Sequence, residues 1–411
     1  MPIDRQPPAA RRQRGAAPSR FPAAQVACHA APAARTPAGA TIRRRRALAL
    51  MLAVTTLLAA CVDQRKPAPP TPAQVRAQVT RLLPVTADDR KGWATDIQAA
   101  FAALEIEPNA QNLCSVLAVT EQESTFTAAP AVPGLAKIAR AEIDRRAARL
   151  HVPQLMVHAA LQIQSPTGKT WDQRIAAVRT EKELSDVFEE LIDGVPMGRR
   201  LFAGANPVRT GGPMQVSIAF AQQHARDRPY PYPVEGSIRH EVHGRRGGMY
   251  FGIAHLLAYP ASYTKPLYRF ADFNAGWYAS RNAAFQAAVT VASGIPLTLD
   301  GDLIRFGAGD DGSDVGTTEV AVRSLATQLD MSHAQIHRAL RKSGGHDFER
   351  TALYERVFAL AEQMERRLLA RAMVPSITLE SPKITRKLTT NWFASRVDTR
   401  YRRCMLRATS G

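Results

Sequence analysis

The run Asn112–Ser124, NLCSVLAVTEQES, places Leu113, Val116, Leu117 and Thr120 on one face at helical spacing. It ends on Glu123, a carboxylate in the last turn of an apolar helix. The helix dipole disfavours negative charge there and apolar neighbours disfavour it further, so both favour the protonated acid. The same period continues outward. Ala73–Leu83, Trp93–Leu104, Ile138–Leu150, Thr180–Ile192, Met214–Arg226, Gly248–Leu257, Lys265–Ala292, Thr317–Gly344 and Phe348–Val374 all read as helices. Strand signals are sparse. The best is Leu297–Phe306, where apolar residues flank Asp300-Gly301-Asp302 and predict a small β-hairpin. The expected class is predominantly α, with no internal repeat.

The length of 411 residues suits one large domain or two smaller ones. An apolar share of 45% and a charged share of 22% exclude a fibrous, wholly disordered or polytopic membrane chain. The net charge of +18 is uneven: residues 1–60 hold 10 Arg, no Lys and one Asp, which is half of the excess. That segment reads as a leader. Arg43–Arg46 precede an apolar run from Ala47 to Ala60 and then Cys61, the layout of a secretory signal too short to span a bilayer comfortably. Leu58-Ala59-Ala60-Cys61 resembles the bacterial lipobox, which implies cleavage before Cys61 and its acylation with chains such as palmitate. Val62 follows, favouring the outer membrane. The expected location is the bacterial cell envelope, as an outer-membrane lipoprotein facing the periplasm. Residues 61–75 contain the lipidated cysteine and a Pro-rich linker, KPAPPTP. Cys114 and Cys404 are left either to pair or to stay as two buried thiols.

Three further stretches stand beside Glu123-Ser124: Gly212-Pro213-Met214-Gln215, the glycine-containing helix Gly248–Leu257, and Asp272-Phe273-Asn274-Ala275-Gly276. In this order they resemble the lysozyme-like lytic transglycosylases, over roughly residues 95–290. The whole chain is also similar to an uncharacterised family of proteobacterial lipoproteins. The transglycosylase resemblance implies a lysozyme-like fold over 76–292, with a large helical insertion at 127–210, and 293–411 as a C-terminal hairpin and helical extension. It implies that Glu123 protonates the bond between N-acetylmuramic acid and N-acetylglucosamine in peptidoglycan strands. The same group then takes the proton of the muramyl 6-hydroxyl and leaves a 1,6-anhydro end. Ser124, Met214, Gln215, Tyr250, Phe273 and Asn274 are the implied substrate-side residues. No metal and no cofactor is implied.

The sequence departs from the family pattern at several points. Pro213 stands in place of Leu and suits a helix N1 position. Phe273 replaces Tyr and removes a hydroxyl, for which Tyr250 or Tyr278 is the candidate substitute. Asp272 replaces Ala and reads as either a second carboxylate in the cleft or a solvated surface group, the latter favoured. The insertion suits a cleft cap, a peptide-stem selector or a surface for an envelope protein partner. His240-Glu241-Val242-His243 has its histidines at i and i+3, not the i and i+4 of a zinc helix. Asp310–Asp314 lacks the spaced ligands of a calcium loop. Tyr230-Pro231-Tyr232-Pro233 reads as a rigid loop or a sugar-stacking rim. The basic tail Arg396–Arg407 is a solvated face or a partner for anionic lipid, not for nucleic acid. The alternative to an enzyme is a non-catalytic peptidoglycan-binding scaffold. A hydrolase would need a second carboxylate.

Overall fold

Residues 68–305, 315–379 and 387–410 are described in the computed structural model. The leader, Cys61, Phe306 and the Asp310–Asp314 loop lie outside them. From Pro72 onward the chain is predominantly α, as expected. α1 (Pro72–Leu82), α2 (Arg90–Ala103) and α3 (Ala110–Ser124) open it. α4 (Leu135–Arg149), α5 (Gln154–Leu161), α6 (Trp171–Ala177), α7 (Glu181–Asp193) and α8 (Gly198–Phe202) follow within 127–210. A hairpin of β1 (Thr210–Gly211) and β2 (Val216–Ser217) leads to α9 (Ile218–Asp227), α10 (Ile238–His243), α11 (Arg245–Leu257) and α12 (Pro266–Ala275). Then come α13 (Ala279–Ser293), α14 (Thr317–Ser324), α15 (His333–Leu340) and α16 (Ala352–Glu365). β3 (Thr378–Leu379) pairs antiparallel with β4 (Leu388–Thr389), ahead of α17 (Thr390–Thr409). Side chains fix many of the starts. Asn109 accepts from the Asn112 amide at 2.9 Å to begin α3, and Thr170 and Thr180 each close a capping box.

Two apolar cores result. The first takes residues from Val75 to Phe273 and returns to the chain end with Leu379, Phe393, Ala394, Val397 and Cys404. The second is formed by α13 to α16, around Phe285, Leu340, Phe348, Val357 and Phe358. α17 therefore packs chiefly on α3 and α12, elements far earlier in the sequence. Its basic face is partly committed: Arg400 and Arg403 pair with Glu121, and Arg407 donates to the Leu82 carbonyl at 3.1 Å. Cys114 of α3 and Cys404 of α17 form a disulfide across 290 positions, with Cα atoms 5.5 Å apart.

Several expected elements differ. Lys265–Ala292 is two helices, because Gly276 takes φ 107° and Tyr278 takes φ 65°, neither of which a helix tolerates. Thr317–Gly344 divides near Asp330, which takes φ 48°, and Phe348–Val374 stops as a helix at Glu365, before Arg366 at φ 52°. No hairpin forms at 297–305. The Asp300-Gly301 turn is made, but its polar groups go to α13 and not across a ladder. Gly301 N–H donates to Gln286 Oε1 at 2.8 Å, and Asn282 Nδ2 donates to the Gly301 carbonyl at 3.2 Å.

Replacing both Cys114 and Cys404 by Ala is expected to remove roughly 2–5 kcal/mol of stability, because the bridge closes a very long loop. Urea unfolding of the oxidised wild type against the double variant measures it; equal midpoints would show that α17 docks without the bridge.

Candidate functional site

α11 is apolar on all sides, and every residue from Gly247 to Leu256 is buried. A helix of that kind belongs in the middle of a core. Its glycines let the chain before it come very close. A Cβ on Gly248 would sit 2.5 Å from Pro213 Cδ and 2.7 Å from the Val242 carbonyl oxygen. One on Gly252 would sit 2.5 Å from Met214 Sδ. The Gly212–Gln215 stretch thus lies directly on α11. On another side, Thr120 Oγ1 of α3 lies 3.8 Å from Met249 Sδ. Near the helix end, the His255 ring packs on Phe273 of α12 at 5.1 Å between centroids. The three predicted segments therefore gather on one helix.

Backbone strain concentrates at the same places. Ten non-glycine residues among those described have positive φ, and four border these segments: Thr125 at 50°, Phe126 at 60°, Gln215 at 50° and Tyr278 at 65°. Such conformations cost on the order of 1–3 kcal/mol each and persist only where the surroundings impose them. Thr125 is β-branched, for which positive φ is rarer still. It terminates α3 immediately after Glu123-Ser124.

The side chains are placed as follows. Glu123 is half-buried on the last turn of α3. Ser124 is buried, and its hydroxyl donates back to the Thr120 carbonyl at 3.1 Å. Glu121 faces α17, 3.5 Å from Arg400 and 3.2 Å from Arg403. Met214 is fully buried. Gln215 is also buried; its Oε1 accepts from Thr210 Oγ1 at 3.2 Å and its Nε2 donates to the Gly212 carbonyl at 3.3 Å. Asn274 Oδ1 accepts from Thr390 Oγ1 at 3.1 Å, which ties α12 to the start of α17. Tyr250 is buried in its ring, and its hydroxyl lies 3.4 Å from His224 Nε2. Burial pushes the Tyr250 hydroxyl above and the His224 imidazole below their ordinary pKa, the latter helped by the Arg228 charge.

Two expectations are corrected. Pro213 is not at a helix N1 position: Gly212–Gln215 is the β1–β2 loop, closed by Gln215 N–H on the Gly212 carbonyl at 3.1 Å, and α9 starts only at Ile218. Asp272 is not solvated. It is fully buried, accepting from Tyr259 at 3.0 Å, from Tyr263, and from the Ser280 N–H at 2.7 Å. Burial still holds it above the usual carboxylate range. Those three donors make it the pin of the α12–α13 break, not a second carboxylate facing solvent. Tyr278 is buried too, and its ring lies under Arg281 at 4.3 Å, with its polar surroundings in the second core.

Sequence reasoning missed a cluster of rings. Phe220 of α9 lies 4.6 Å from the His255 ring and 5.4 Å from Trp277, whose Nε1 donates to the His255 carbonyl at 2.7 Å. The signal was the i, i+4 pair Phe220 and His224, just after Gln215. Tyr230 and Tyr232 are half-buried against Tyr250, and Arg246 lies 4.6 Å over the Tyr232 ring. An open depression of about 610 Å³ runs beside them between Gln222, Arg226, Tyr230 and Ile238; Tyr230 of the Tyr-Pro-Tyr-Pro stretch lines it, but neither Glu123 nor the implied substrate-side residues do. His243 is buried against Gly211, and Glu241 accepts from Tyr230 Oη at 2.8 Å and from the Glu235 N–H at 2.9 Å. Among the described residues no group of three or more His, Cys, Asp or Glu is placed to hold a metal ion.

Gly248→Ala is expected to destabilise by about 1–3 kcal/mol through overpacking, despite better helix propensity; urea unfolding reads this, and an unchanged midpoint would show that the contact yields. Burial pushes His243 and His255 down to about 4. Their folded values lie below the unfolded one, so the unfolded chain binds protons first and stability is lost as pH falls from about 6.5 toward 4. His255→Phe should remove on the order of 3 kcal/mol of that acid loss, measured as urea midpoints at pH 7.5 and 4.5. Parallel pH slopes in variant and wild type would contradict it.

Residues 86–407 match the family described as "Protein of unknown function (DUF1615)", and the chain belongs to that family. It is 54% identical over 360 residues to "Uncharacterized protein YaiW" of Escherichia coli (strain K12), covering 87% of this chain and 97% of that protein. No solved structure matches.

Proposed function

We propose that this protein is a membrane-anchored peptidoglycan lytic transglycosylase with Glu123 as general acid and base. One observation carries the reading: α3, which ends in Glu123-Ser124, the Gly212–Gln215 loop and α12, which ends in Asp272–Gly276, all pack on α11, the loop on its glycines and the helices through Met249 and His255, with strained backbone bordering each segment. Glu123 stands half-buried at the C-terminal end of α3. The Cys114–Cys404 bridge suits the oxidising envelope that the leader implies.

In this reading the Glu123 carboxyl gives its proton to the glycosidic oxygen as the bond to the muramyl anomeric carbon breaks. The substrate acetamide assists from the opposite face. The carboxylate then accepts the proton of the muramyl 6-hydroxyl while that oxygen closes onto the anomeric carbon. No water enters, and the product ends in a 1,6-anhydro ring. A second reading, a scaffold that binds glycan without cutting it, is favoured by one fact: both ends of the Gln215 amide are spent on Thr210 and Gly212.

Purified sacculi incubated with the mature protein should release fragments with 1,6-anhydromuramyl ends, read by mass spectrometry. Glu123→Gln should reduce release by at least about a hundredfold, the scale of a lost general acid. Sedimentation with sacculi but no soluble fragments, identical in Glu123→Gln, would replace the enzyme with the scaffold. Reducing ends would replace transglycosylation with hydrolysis.

A further inference from the structure

α5 is built the wrong way round for a helix of a water-exposed domain. Val157 and Leu161 turn toward the first core. On the opposite face Leu155 is 81% and Met156 62% exposed, with Ala159 and Ala160 in line behind them. Leu150 before the helix and Ile163 after it are 74% and 62% exposed. Fifteen large apolar side chains are exposed among the described residues, and five of them fall between Leu150 and Ile163. A contiguous patch of this kind marks an interaction surface.

The charge around the patch says what covers it. Residues 145–171 contain no Asp and no Glu, but carry Arg145, Arg146, Arg149 and Lys169, with His151 and His158 between. Arg145 and Arg146 are matched by Glu142. Arg149 and Lys169 are exposed and make no ion pair among the described residues, so two free cations stand at the base of the apolar tip. A short apolar helix face with basic flanks lying in the headgroup layer is the pattern of an interfacial membrane contact.

We propose that the α4–α5 tip, Leu150 to Ile163 with Arg149 and Lys169, inserts into the headgroup layer of an anionic lipid surface. The contact is independent of Glu123 chemistry. It is also separate from acylation at Cys61.

The test uses the full chain with Cys61→Ser, so that no acyl group contributes. Co-sedimentation is measured with vesicles of phosphatidylethanolamine and phosphatidylglycerol, and with vesicles of phosphatidylcholine alone. Binding to the anionic vesicles is expected, weakening with salt. Leu155→Glu with Met156→Glu should weaken it at least about tenfold. Arg149→Ala and Lys169→Ala should each weaken it about fivefold. All four positions are exposed, and circular dichroism of each variant checks that the fold is kept. Wild-type binding that survives Leu155→Glu with Met156→Glu overturns the proposal, assigning the affinity to the leader arginines or another surface. So does an absence of binding to anionic vesicles. Self-association in sedimentation velocity, abolished by the same double variant and unaffected by lipid, would reassign the patch to a second copy of the chain.

Discussion

The first core depends on how closely the β1–β2 loop can approach α11. Gly248 and Gly252 remove the side chains that would hold the loop away, so Pro213 and Met214 lie against the helix backbone itself. Dispersion is strongest at contact separation, and a gap of roughly 0.5–1 Å already forfeits about a quarter to a half of it. The loop is consequently fixed, and Gln215 is held at a positive φ that it would not adopt alone. The same helix presents Met249 to α3 and His255 to α12. One buried surface therefore sets the relative positions of three segments that are distant in sequence.

The second constraint lies between α12 and α13. The chain turns sharply at Gly276, and Asp272 holds the turn by accepting from Tyr259, Tyr263 and the first turn of α13. A buried carboxylate is costly unless its lone pairs are filled, and here three donors fill them. Arg281, one turn into α13, donates to the carbonyls of Ser343 and Gly345 in the second core. The chain leaves the first core by way of Asp272 and enters the second by way of Arg281.

Periodicity revealed most of the helices, because amphipathic faces are local properties of the chain. The breaks were less legible. Gly276 looks like a tolerable helix glycine until Asp272 is seen to need its turn. The Asp300-Gly301 turn was visible, but not that Gln286 and Asn282 would take the hydrogen bonds a hairpin needs. Asp272 read as solvated because charge is written in the sequence and its tyrosine donors, 9 and 13 positions away, are not marked as such. At the site, the motif segments were found by order and composition. The ring cluster of Phe220, His224, His255 and Trp277 was not, since its members come from three elements that only the packed core brings together.

The return of α17 to the first core has a bearing on biogenesis. Its residues Phe393, Ala394, Val397 and Cys404 complete a hydrophobic layer begun by Val75. A chain made or exported from its N-terminus holds that layer open until its last twenty residues arrive. Truncation near the C-terminus would leave apolar surface on α3 and α12 uncovered, together with an unpaired Cys114. Closure of the first core is therefore a long-range event, which joins α1 and α3 to a helix some three hundred positions later in the chain.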